Sequence, residues 1–247
     1  KVYIVEYPGS GHIQVAQMLV RHGYEITKEL NDADLVQFSG GSDVNPTLYG
    51  QFPHRTTFTD VERDEMEAKI FHQAQELGIP CAGICRGGQF LHVMNGGEMW
   101  QNVDNHMHGH KVTMYGKLIP IHVSSDHHQQ MQLNYDTRNR AIVLMFANES
   151  RHKEKMSQIA GVAQYAITST VTGSWNKDDD IEALYYEDSN CLCFQPHPEY
   201  SGYKDCEEAY FHLLENYIFS EAKEEIVLSP ETEVCPDCQK QLEFCDC

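Results

Sequence analysis

Three apolar runs of strand length, residues 2–7, 35–39 and 81–84, are each followed by a stretch of helical period, at 13–22, 61–77 and 89–95. A strand that is apolar at nearly every position is covered on both faces, and the following helix both covers it and returns the chain to the next parallel strand. The pattern therefore predicts an α/β fold, a three-layer sandwich with a mostly parallel central sheet, whose strand ends carry any site. At 247 residues the chain buries one large core in preference to two small ones.

After Gly96-Gly97 the texture changes to shorter β-rich pieces at 110–123, 141–147, 162–170, 181–187 and 191–196. A helix over residues 203–219, with Ala209, Leu213, Leu214 and Tyr217 at helical spacing, closes the domain. From Ser220 the chain is acidic and contains a proline, which reads as a linker. The organisation expected is a catalytic domain over 1–220 and a cysteine-rich tail over 221–247. Residues 133–161 match no motif.

Composition excludes several classes of function. Eighteen Lys and Arg stand against 37 Asp and Glu, a formal charge of −19, so there is no basic footprint for duplex DNA or an anionic membrane. The longest wholly apolar run, residues 141–147, is too short to cross a bilayer, and the N-terminal run reads as a strand, not a signal peptide. Nine cysteines, five of them scattered as Cys81, Cys85, Cys191, Cys193 and Cys206, argue against a disulfide scaffold. These features predict a cytoplasmic protein, with Cys191 and Cys193 as core packing.

The third strand-to-helix junction reads Gly83-Ile84-Cys85-Arg86-Gly87. Gly-x-Cys-x-Gly there has the form of a nucleophile elbow, in which a tight turn exposes the central side chain. It would put the sulfur at a helix N-terminus, which favours the thiolate, and aim the Arg86 N–H at a developing oxyanion. Alone, the pentapeptide fits a buried structural cysteine equally well. A nucleophilic cysteine needs a base and an orienting acid, and Pro196-His197-Pro198-Glu199 offers both at the end of a strand-like run.

"GICRGGQ" followed far downstream by "HPE" resembles the class I glutamine amidotransferase superfamily. "FSGGSDVNPTLYG", "ERDEMEAKIF" and "VSSDHHQQ" resemble more specifically its peptidase C26-like γ-glutamyl hydrolase branch, which includes the γ-glutamyl-γ-aminobutyrate hydrolases. The match runs in family order over roughly residues 35 to 200. The resemblance implies the flavodoxin-like amidotransferase fold, Cys85 as nucleophile, His197 as general base and Glu199 as its orienting acid. It further implies oxyanion N–H groups at Gly41 and Arg86, and substrate contacts from Gln89 and His127. Pro196 departs from the aromatic or small residue usual before the histidine, and Ser39 from a common proline.

The activity implied is hydrolysis of a γ-glutamyl amide through a cysteinyl thioester, without a catalytic cofactor. Such an acyl carbon calls for a soft nucleophile, a proton shuttle and two N–H donors. Two alternatives are a glutaminase passing ammonia to a separate synthetase partner and a non-catalytic binding module, the latter opposed by the intact Cys85, His197 and Glu199 set.

Other constellations receive plainer readings. Cys235, Cys238, Cys245 and Cys247 have the number and closeness to hold one structural zinc in the tail. The run of His106, His108, His110, His122, His127 and His128 reads as a polar loop over the site, without the carboxylate pattern of a metal centre. Arg63, Asp64 and Glu67 read as a charged first turn suited to a helix dipole, in preference to a brace for the strand loop containing Gly41.

Overall fold

The structure is a computed structural model that describes residues 1–117, 119–157, 165–170 and 180–220. The amino-terminal half is built from β1 (Val2–Ile4), α1 (His12–Arg21), β2 (Ile26–Thr27), β3 (Leu35–Phe38), α2 (Val61–Leu77), β4 (Cys81–Ile84) and α3 (Arg86–Met94). There follow β5 (Glu98–Trp100), β6 (Asn102–Val103), β7 (His110–Met114), β8 (Ile121–Val123), β9 (Gln130–Gln132), β10 (Ala141–Ala147), β11 (His152–Ser157) and β12 (Tyr165–Thr170). The closing elements are β13 (Asp180–Tyr186), β14 (Cys191–Phe194) and α4 (Lys204–Leu213).

Nine strands form one mixed sheet in the order β2-β1-β3-β4-β14-β13-β10-β7-β8. Pairing is parallel from β2 to β14 and antiparallel from β14 to β8. The fold is the α/β one expected, with parallel strands at its centre. Every residue of β3, β4 and β14 is buried, because helices lie on both faces. One core joins α1 and α4 to the sheet through Val15, Met18, Leu19, Tyr210 and Leu213. The other joins α2 and α3 through Phe71, Ala74, Phe90 and Leu91, and it includes Cys191 and Cys193 as packing residues.

Helix α2 starts where Asp60 accepts a hydrogen bond from the Arg63 N–H (3.1 Å), and stops at Gly78, whose left-handed φ of 69° lets the Ile79 N–H return to the Ala74 carbonyl. Helix α4 is shorter than the expected 203–219 stretch because its last turn, Leu214–Ile218, widens to a π-helical turn. The region without a motif supplies β10 to the main sheet and β11 to a small antiparallel sheet with β6 and β12. The tail with Cys235, Cys238, Cys245 and Cys247 lies outside the described residues. Among the described residues, no helix is long and apolar enough to cross a membrane.

Candidate active site

Strands β4 and β14 are adjacent and parallel, with Ile84 beside Phe194, so the residues that follow both strands emerge at the same edge. Cys85 is the first residue past β4 and precedes α3. Its φ of 51° and ψ of −114° lie where non-glycine residues are rarely found, a strain of about 1–3 kcal/mol that only a tightly determined turn sustains. The tightness comes from the flanking glycines. A Cβ on Gly83 would overlap the Gly87 backbone and stand 2.5 Å from the Gly88 nitrogen, and one on Gly87 would sit 2.6 Å from the Phe38 carbonyl carbon. The turn is pinned by the Cys85 N–H donating to the Phe194 carbonyl at 2.7 Å.

His197 follows β14 and is brought to the same place. Its Nδ1 lies 2.7 Å from Glu199 Oε1, which leaves Nε2 as the ring nitrogen available to the sulfur. A Cβ on Gly40 would stand 3.0 Å from His197 Cε1 and 3.7 Å from Cys85 Cβ, so this bare glycine lies against both residues. Ser124 Oγ accepts from the His197 N–H at 2.8 Å and donates to the His197 carbonyl at 2.7 Å, and Tyr200 stacks on the imidazole with centroids 4.3 Å apart. Burial disfavours the imidazolium, but Cys85 and then Glu199 outweigh it and hold His197 well above its ordinary pKa.

The reading of Arg63, Asp64 and Glu67 as a dipole-compensating first turn is overturned. All three are buried on the inner face of α2. Arg63 donates from Nη2 to the Ser39 carbonyl (2.9 Å), from Nη1 to the Gly40 carbonyl (3.2 Å) and from Nε to Glu67 (2.7 Å). Arg86 donates from Nη1 to Glu67 and from Nη2 to Asp64. The network joins the loop carrying Gly41 to the residue after the cysteine. Gly41 itself has φ 146°, and a Cβ there would overlap Arg63 Nη1.

A cavity of about 250 Å³ opens beside the sulfur, lined by Gly41, Asp43, Phe58, Gln89, Asp126 and His127 among others. A second lobe shares Gly41, Cys85 and Asp126 with the first and is also lined by Ser10, Gly11, His197, Glu199 and Tyr200. Gln89 Nε2 donates to the Gln129 carbonyl and to Gln195 Oε1, both at 3.1 Å, and Gln195 Nε2 lies 3.9 Å from Cys85 Sγ. His127 Nδ1 faces the Gln129 carbonyl at 2.9 Å. Burial, then the neighbouring His106, holds its pKa well below the ordinary value, so the ring is neutral. Its Nε2 is buried with no hydrogen-bond partner among the described residues.

Cys85, His197, Glu199, Gly41, Arg86, Gln89 and His127 are thus all at one place. Sequence reasoning missed Ser124, Tyr200 and Gln195, and it ranked a brace of the Gly41 loop below the helix-dipole reading of Arg63, Asp64 and Glu67. Gln195 stands two residues before His197, so proximity in sequence was its one available signal. The histidine run is only partly a polar loop over the site: His127 and His128 line the cavity and His108 and His122 are exposed, but His106, His110 and His127 are buried.

The peptidase C26 family model matches residues 8–199. Lactococcus lactis subsp. lactis YvdE, provisionally named a glutamine amidotransferase-like protein, is 28% identical over 177 residues, which cover 70% of this chain and 69% of that protein. Among solved structures, a Thermoplasma acidophilum protein provisionally assigned to GMP synthase superposes with a TM-score of 0.53 at 15% identity over 88% of this chain and 92% of that one. A glutamine amidotransferase from Thermotoga maritima gives a TM-score of 0.51 at 14% identity, over 87% of this chain and 83% of that one. The structural likenesses concern the fold, and the family match spans both the elbow and the histidine, so the chain belongs to the peptidase C26 family, a branch of the class I glutamine amidotransferase superfamily.

Proposed function

We propose that this protein hydrolyses a γ-glutamyl amide through a thioester on Cys85. The observation that carries the reading is the strained backbone of Cys85 at a shared strand edge with the His197–Glu199 pair. The sulfur adds to the acyl carbon, and the oxyanion is met by the N–H groups of Gly41 and Arg86. His197 hands its proton to the departing amine, and water activated by the same imidazole cleaves the thioester to release glutamate and free thiol. Glu199 keeps the ring oriented throughout.

The two lobes divide the substrate. Since His197 must protonate the leaving amine, the amine belongs in the lobe with His197 and Tyr200, and the glutamyl head belongs beside Gln89 and His127. Asp43 and Asp126 suit the α-ammonium group of such a head. A glutaminase that passes ammonia to a separate synthetase is the second reading, favoured by the name of the YvdE relative.

Glutamate release from glutamine and from a panel of γ-glutamyl amines, with Cys85→Ala as control, tests the proposal. Turnover of one γ-glutamyl amine, abolished by the substitution, supports the stand-alone hydrolase. Turnover of glutamine that is raised by, or appears only with, a synthetase supports the second reading, and no turnover of any substrate with or without a synthetase contradicts both.

A further inference from the structure

Beneath the cavity wall, three buried side chains that the proposed chemistry does not use converge from distant parts of the chain. They are His106, from the loop after β6, His110 at the start of β7, and Glu182 on β13, and their ligating atoms all lie within 4.8 Å of one another. His110 Nε2 stands 3.1 Å and His106 Nδ1 3.6 Å from the same oxygen, Glu182 Oε1. Ligand atoms about 2.0–2.1 Å from a tetrahedral ion are about 3.3 Å apart, so these separations need little adjustment to hold one.

The far nitrogen of each ring has a partner of the kind that orients metal-binding histidines. His106 Nε2 faces Ser150 Oγ at 3.1 Å and Asp180 Oδ2 at 3.6 Å, and His110 Nδ1 faces the His108 carbonyl at 3.4 Å. Each ring turns a lone pair toward Glu182 when its hydrogen sits on the other nitrogen, toward the His108 carbonyl for His110 and toward Asp180 for His106. In that tautomeric state the two rings and the carboxylate offer three acceptors around one point, whereas without an ion the same His110 Nε2 can donate to Glu182 Oε1 at 3.1 Å. His106 Nδ1 and Glu182 Oε2 have no hydrogen-bond partner among the described residues, although both residues are fully buried. Lys153, 2.9 Å from Asp180, balances that neighbouring carboxylate, whereas the ion-pair partners of Glu182 among the described residues are the His106 and His110 imidazoles.

We propose that His106, His110 and Glu182 form a binding site for one divalent first-row transition metal ion, with zinc matching a set of two imidazoles and a carboxylate. The ion sits at the base of the wall around the candidate active site and has a positioning role. The His106 carbonyl accepts from Ser125 Oγ (2.6 Å) and from the His127 N–H (3.1 Å), and the Glu182 carbonyl accepts from the Gln195 N–H (2.8 Å). One ion would fasten the loop before β7, β7 itself and β13 to both sides of the cavity.

The test uses the full chain with Cys235→Ser, Cys238→Ser, Cys245→Ser and Cys247→Ser, which removes the tail thiols as competing ligands. After chelation, this protein is titrated with Co²⁺ and with Zn²⁺, and bound metal is counted by mass spectrometry after free ion is removed. The proposal predicts one ion per chain, a visible cobalt spectrum without a thiolate charge-transfer band, and a melting temperature raised by Zn²⁺. Introducing Glu182→Gln or His110→Ala abolishes all three effects. Retention of no ion, a thiolate band in the cobalt spectrum, or stoichiometric binding that survives Glu182→Gln overturns it, the first of these meaning that the cluster shares protons instead. If the substituted chains do not fold, the titration of the tail-substituted parent decides by stoichiometry and spectrum alone.

Discussion

Arg63 makes a sharp test of how the candidate oxyanion site is held. Its guanidinium spans the carbonyls of Ser39 and Gly40 and the carboxylate of Glu67, at 2.9, 3.2 and 2.7 Å, in a buried position. Arg63→Ala leaves two buried carbonyls without that donor and Glu67 with Arg86 as its remaining cation, a loss of about 3–5 kcal/mol of stability. Arg63→Lys retains the charge beside Glu67 but cannot span three acceptors, so most of the stability remains while the Gly41 backbone is released. Removing an oxyanion donor outright costs about 10²–10³-fold in kcat, so a misplaced one is expected to cost about 10–100-fold with little change in KM. Urea unfolding and steady-state glutamate release measure the two effects separately. A lysine variant with wild-type kcat refutes the argument that Arg63 holds the Gly41 loop in its working position.

Glu199→Gln removes one of the two groups that, against burial, raise the His197 pKa. The imidazolium is then lost at lower pH, so the alkaline limb of the kcat/KM profile moves downward, and an unmoved limb contradicts the assignment. Gly83→Ala drives a methyl group into the Gly87 and Gly88 backbone and should cost about 3 kcal/mol in urea unfolding; a cost under about 0.5 kcal/mol contradicts the close approach. Cys85→Gly, which relaxes the positive φ, should be more stable than Cys85→Ala by about 1 kcal/mol, the strain of about 1–3 kcal/mol less the extra entropy of glycine. The reverse order in thermal unfolding means the turn is unstrained.

The parallel half of the sheet was legible because burial on both faces leaves an unbroken apolar run, as at residues 81–84 and 191–194, and because α2 has clear boundary residues at Asp60 and Gly78. The elbow was legible because close backbone approach demands glycine at fixed offsets from Cys85. Arg63, Asp64 and Glu67 were misread since the same charged turn serves as a solvated helix start or as a buried brace, and only the packing of α2 against the loop at Gly40 distinguishes them. The histidine run concealed its carboxylate for a similar reason: Glu182 joins His106 and His110 through β13, more than seventy residues away in sequence. Strands such as β11 carry charged residues and a weak alternation, and their pairing depends on partners that sequence periodicity does not reveal.

The central claim is that Cys85, alone among nine cysteines, is the nucleophile for a γ-glutamyl acyl group. The most direct measurement is labelling by an electrophilic glutamine analogue bearing a diazoketone in place of the carboxamide, followed by peptide mapping. The account predicts one label per chain, on Cys85, suppressed by a turned-over γ-glutamyl substrate and absent in Cys85→Ala. A catalytically active chain whose label falls elsewhere, or whose Cys85 stays unmodified, contradicts it.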